Sequence, residues 1–145
     1  MTAPRRALAS ALATLVFASC SPTNFTEPLV LGGRSVDPAL LNKGQGLFNR
    51  YCAACHGYDG KADTPQARQL QPAPRDFTAA QFKHHAAAPD GLPTDAELQR
   101  VITNGVPGTG MPAWPNLKGE ELDAVTQYLK TFSPAWRSTS NAPGK

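Results

Sequence analysis

Apolar residues fall at helical spacing in three stretches of this 145-residue chain, and nowhere do they alternate long enough to suggest a sheet. The first stretch opens at Asp37, a good N-cap, followed by Pro38 at the first helical position. Leu40, Leu41, Gly44, Leu47, Phe48 and Tyr51 then share one face, which predicts a helix over Pro38 to Tyr51. In the second, Thr94-Asp95-Ala96-Glu97 is a capping box: the threonine accepts from the backbone three residues on, and the glutamate reaches back. Leu98, Val101 and Ile102 mark its apolar face, and Gly105 supplies the stop. The third runs from about Glu120 to Phe132 with Leu122, Val125, Tyr128, Leu129 and Phe132 inward, and Pro134 ends it.

The intervals are irregular. Residues 61–93 are punctuated by proline, with one candidate helical turn at Ala79–His84. Asn104 to Pro115 forms a stiff loop of glycine and proline, able to bring its backbone close to a flat ligand. Residues 20–37 have no helical period and read as a tether, with a reach on the order of 20 Å if flexible. Residues 134–145 read as a mobile tail. The expected fold is a small all-α domain over residues 38–133.

Composition limits what such a domain can do unaided. With 14 prolines and 12 glycines its own core is small, so a buried cofactor would supply missing apolar bulk. The N-terminus reads as an export signal, with Arg5-Arg6 followed by an apolar run from Ala7 to Ala18 too short to span a bilayer. Phe17-Ala18-Ser19-Cys20 resembles the lipobox of bacterial lipoproteins, which would make Cys20 the lipidated first residue of the mature chain. Simple cleavage near Ser19 is the alternative. Residues 1–19 carry two of the 14 basic side chains and none of the 11 acidic ones, so the remainder is nearly neutral. That balance argues against nucleic acid or an anionic membrane as partner.

The chemistry centres on Cys52-Ala53-Ala54-Cys55-His56. C-x-x-C-H is the signature of covalent c-type haem attachment. Two thiols at this spacing add to two vinyl groups of the porphyrin, and the histidine after them offers iron a nitrogen. A thioredoxin-like pair would follow a strand in a βαβ pattern, which is lacking. A structural zinc site would need a second ligand pair at a loop's distance, and the adjacent His84 and His85 do not provide it. With Cys52 and Cys55 in thioether bonds and Cys20 acylated, none of the three cysteines would be left as a free thiol.

Met111 is the only methionine besides the initiator, and it sits in the Gly/Pro loop. If iron takes a thioether as its second axial ligand, Met111 must provide it; core packing is the alternative. His84 or His85 could instead give bis-histidine iron, or lie solvated beside Lys83. Arg75 could pair with a haem propionate through its planar fork or face solvent. Trp114 could turn its indole N–H toward a propionate at the haem edge or be buried as ordinary core.

The order helix, C-x-x-C-H, irregular wrap, helix, Gly-rich Met-Pro loop, helix resembles the class I monohaem cytochromes c over residues 38–133. Gly44 and Phe48, eight and four residues before Cys52, match that family's first-helix glycine and aromatic. The resemblance implies that the first helix crosses the last at Tyr128 and Leu129. It also implies that a carbonyl of the wrap, at Pro72 or Pro74, accepts from the axial histidine. Pro-Arg-Asp-Phe at 74–77 and Gly-Thr-Gly-Met-Pro-Ala-Trp at 108–114 are similar to cytochrome c domains that accompany bacterial respiratory and periplasmic oxidoreductases. The expected function is one-electron transfer between redox proteins on the periplasmic side, with one covalent haem c, a lipid anchor at Cys20 and no small-molecule substrate. A fixed haem subunit of a larger oxidoreductase shares that chemistry, and a haem enzyme or gas sensor would require an open iron position. No distal acid/base constellation supports turnover.

Overall fold

A computed structural model describes residues 24–83 and 91–137. The expected signal segment with Cys20, the pair His84 and His85, and the tail beyond Arg137 lie outside the described residues.

The long first helix, α1 (Pro38–Tyr51), forms where its pattern places it, and the Asp37 side chain accepts from the Ala39 N–H at 2.7 Å. A one-turn helix, α2 (Ala53–His56), follows directly. Next come a 3-10 turn at Ala67–Gln69 and then α3 (Asp95–Asn104), whose capping box closes in both directions between Thr94 and Glu97. The last helix, α4 (Glu120–Lys130), stops two residues before Phe132 because the chain tightens into i→i+3 bonds from Thr131 and Phe132.

α1 and α4 cross at Gly44. A Cβ built there would lie 2.1 Å from the Ala124 carbonyl oxygen and 2.7 Å from Tyr128 Cβ, so glycine lets one helix backbone touch the other. The resemblance placed this contact at Tyr128 and Leu129; Ala124 replaces Leu129, because the point of closest approach lies one turn before Tyr128. Phe48, on the next turn of α1, packs on Tyr128 at 5.4 Å and Phe132 at 5.0 Å between ring centroids.

The expected tether is in large part domain. Leu29–Leu31 (β1) and Arg34–Val36 (β2) pair antiparallel as a hairpin, and Gly32 and Gly33 take φ of 58° and 78° in the two-residue turn. Leu31 and Val36 are fully buried while Val30 faces out. Phe25 is fastened to α1 by both of its backbone groups through the Asn42 amide, at 2.8 and 2.9 Å. At the other end, Pro134–Trp136 forms a 3-10 turn, Trp136 is buried, and its carbonyl accepts from the Gly32 N–H at 2.8 Å. The folded unit therefore reaches Asn24 and Arg137 rather than stopping at 38 and 133, since the hairpin and Trp136 help cover α4, which is buried on every side from Ala124 to Lys130.

That burial includes charge. Lys130, 2% exposed, pairs with Asp95 at the start of α3, donates to Gln127 at 3.1 Å and lies 5.3 Å above the Trp136 ring. Gln127 donates to Asp95 and Asp123, and Arg34 grips Asp123 with two bonds of 2.7 and 2.8 Å. One connected polar network thus joins β2, α3, α4 and the final turn.

Candidate haem site

α1 carries the chain to Cys52, whose N–H donates to the Phe48 carbonyl. The single turn of α2 places Cys55 and His56 three and four residues on, which is helical spacing for neighbours on one face. Gly57, at φ 77°, then turns the chain away. Cys52 and Cys55 are half-buried and unbonded. Burial, with Cys55 beside it, pushes the Cys52 thiol up to about 12. The pair also follows the helix α1 rather than a strand, so the βαβ setting of a thioredoxin-like pair is lacking here. Among the described residues no three His, Cys, Asp or Glu side chains converge on a metal position.

His56 is buried, and its Nδ1 lies 2.9 Å from the Arg75 carbonyl oxygen. A carbonyl only accepts, so Nδ1 carries the proton and Nε2 keeps a lone pair. Burial lowers the imidazole pKa, opposed by the bond to Arg75 and assisted by its charge, which favours the neutral ring. The partner is neither Pro72 nor Pro74: the chain turns so that the carbonyl after the second proline is the one that meets the ring. Phe77, two residues beyond, stacks on the imidazole with centroids 4.4 Å apart and planes 17° apart. The candidate turn at 79–84 is a turn at Phe77–Ala80, closed by the Ala80 N–H on the Phe77 carbonyl.

Met111 lies half-buried in a loop clasped to the end of α3. Its carbonyl accepts from Val106 and its N–H donates to Thr109 Oγ1, both at 3.1 Å, while the Trp114 N–H returns to the Ile102 carbonyl. At Gly105 a Cβ would sit 2.7 Å from the Met111 carbonyl oxygen, and at Gly110 it would sit 2.7 Å from Leu70. The loop is thereby pinned to α3 on one side and the wrap on the other. Trp114 packs against Tyr51, the last residue of α1, with centroids 5.2 Å apart, and helps line a cleft of about 380 Å³. Arg75 is half-buried, and its backbone carbonyl meets the site.

Sequence reasoning missed Phe77, although the Pro-Arg-Asp-Phe run containing it had been singled out. It also missed Leu70 as the support of the Met111 loop, for which a lone leucine in an aperiodic segment carries no signal.

Two neighbouring thiols, a buried imidazole bonded to a backbone carbonyl and a stiff glycine-rich loop, all on a short helical frame, define a c-type cytochrome domain. More particularly, the chain belongs to the family described as cytochrome C oxidase, cbb3-type, subunit III, whose sequence model matches residues 39–129. Among solved structures it is similar to a chain of the Kuenenia stuttgartiensis reducing HAO-like protein complex, with 36% identity and a TM-score of 0.63. That match covers 71% of this chain and 47% of the other, so the present chain spans about half the length of its structural relative. A comparison with curated proteins gave no match. A cytochrome domain of this family implies a haem cofactor.

Proposed function

We propose that the chain is a single-electron carrier holding one haem, joined covalently through Cys52 and Cys55, with His56 and Met111 as axial ligands. The observation that carries this reading is His56: buried, its Nδ1–H committed to the Arg75 carbonyl and its Nε2 left for iron, within one helical turn of two free thiols. The haem supplies reversible one-electron exchange. The chain supplies a fixed imidazole, a sulfur ligand on a braced loop and an aromatic core behind the imidazole. With both axial positions filled there is no open site for substrate or gas. Acidified-acetone extraction followed by intact mass should leave one haem on the chain, and free haem in the solvent would refute the covalent attachment. The ferrous protein should resist carbon monoxide, whereas Met111→Ala should bind it readily and have a lower reduction potential. Rapid binding by the native protein would favour the sensor or enzyme reading.

The structural neighbour comes from a protein complex, which favours a second reading, a haem subunit held within a larger oxidoreductase. Native mass after gentle solubilisation separates them: a free carrier migrates alone. The partners in either case are redox proteins. Export to the periplasmic side and a lipid at Cys20 complete the proposal, and Cys20→Ser should release the protein to the soluble fraction. Unchanged membrane retention would refute the anchor.

A further inference from the structure

The hydrogen bond from His56 Nδ1–H to the Arg75 carbonyl fixes one direction in the imidazole plane but leaves the plane free to turn about that N–H···O line. The face is held by something else. Phe77 lies flat against it, 4.4 Å away and 17° from parallel. Phe77 is itself immobilised. Its N–H donates to the Gly60 carbonyl at 2.8 Å, and its ring stacks on Phe132 (6.2 Å, 16°) while meeting Phe48 edge-on (6.1 Å, 64°). Gly60, at φ 75°, leaves no room for a Cβ, which would lie 2.6 Å from the Phe132 ring. The face of the imidazole is thus tied, through one phenyl ring, to the core formed by α1 and the turn that follows α4.

We propose that Phe77 is a positioning residue that sets the plane of the His56 imidazole, acting with the Arg75 carbonyl so that a single three-residue segment holds the ring by edge and by face. This rests on the reading that His56 binds iron. The orientation of an axial imidazole plane governs how it donates into the iron d orbitals, and so the electronic asymmetry of the ferric state. A merely structural role for Phe77 would not move that property.

The test uses the full holoprotein and the hyperfine-shifted proton resonances of its ferric form. Phe77→Leu, which keeps an apolar side chain but removes the flat face, should shift the four haem-methyl resonances by several parts per million and alter their spread. Phe77→Tyr, which restores a planar ring, should return the wild-type pattern. Phe25→Leu takes a ring off Tyr128 in the same core without touching His56, and should leave the pattern unchanged. If Phe77→Leu does not accumulate with haem, Phe77→Met refills the volume without a flat face and is read in the same way. Wild-type methyl shifts in the variant lacking the ring would overturn the proposal, as would an equal change in Phe25→Leu. Absence of coordinated-imidazole resonances in the wild-type protein would overturn the ligand reading itself and this inference with it, an outcome distinct from an unchanged variant.

Discussion

Placing one methyl group at Gly44 tests the packing logic of the whole domain. An alanine Cβ there would stand 2.1 Å from the Ala124 carbonyl oxygen and 2.7 Å from both the carbonyl carbon of Ala124 and Tyr128 Cβ. Two of these three atoms are backbone, so no rotamer change relieves the clash. Since ordinary heavy-atom separations are about 3.5 Å, α1 and α4 must part by roughly 1 Å, and a gap of that size forfeits about a quarter to a half of each contact across the crossing. Leu41, Phe48, Val125 and Tyr128 are buried there. Overpacking of this kind costs about 3 kcal/mol, offset by about 1 kcal/mol of better helix propensity, for a net loss of about 2 kcal/mol. Gly46 provides the control, because it lies in the same helix and its Cβ would meet nothing within 4 Å. Gly46→Ala should therefore gain about 0.5–1 kcal/mol. Urea unfolding of the two holoproteins, followed by far-ultraviolet circular dichroism, should separate their midpoints in opposite directions from wild type. Equal stability of the two variants would refute the crossing.

The polar network makes two further predictions. Asp95→Ala strands the buried Lys130 ammonium and should cost about 3 kcal/mol, whereas Lys130→Met, which removes the buried charge and refills the space, should cost less than half as much; the reverse order in urea unfolding would contradict the reading. The Arg34 guanidinium holds the Asp123 carboxyl below the usual carboxylate range, chiefly through its hydrogen bonds. A lowered native pKa contributes stability above the unfolded value of about 3.9 and loses it as pH falls through the native value. Arg34→Gln should therefore cost about 1 kcal/mol at pH 7, the ion pair being half exposed, and the difference from wild type should shrink as the pH is lowered below about 4. A pH-independent difference would mean that the arginine acts through packing alone.

Much of this molecule was legible where its causes are local. Asp37-Pro38 and the Thr94/Glu97 box start their helices at the expected residues because a cap is satisfied within one turn, without help from the rest of the fold. The C-x-x-C-H run was legible for the same reason: its spacing is a property of one helical turn. The hairpin had a signal, Gly-Gly between Leu-Val-Leu and Arg-Ser-Val, but three-residue strands carry too little period to outweigh the prolines and polar residues before them.

What the sequence alone determined, then, is the set of helices and the cluster of thiols and imidazole. Only the tertiary structure decided which groups meet them. The carbonyl that orients His56 belongs to a residue 19 positions away, the ring on its face to one 21 away, and the partner of Lys130 to one 35 away. Each of those pairings depends on how α1 and α4 cross and how the proline-rich wrap closes over them, and no spacing along the chain encodes it. The same holds for the domain's ends. Phe25 and Trp136 lie in segments without period, and they belong to the fold because α4 needed cover on a face that its own pattern left unassigned.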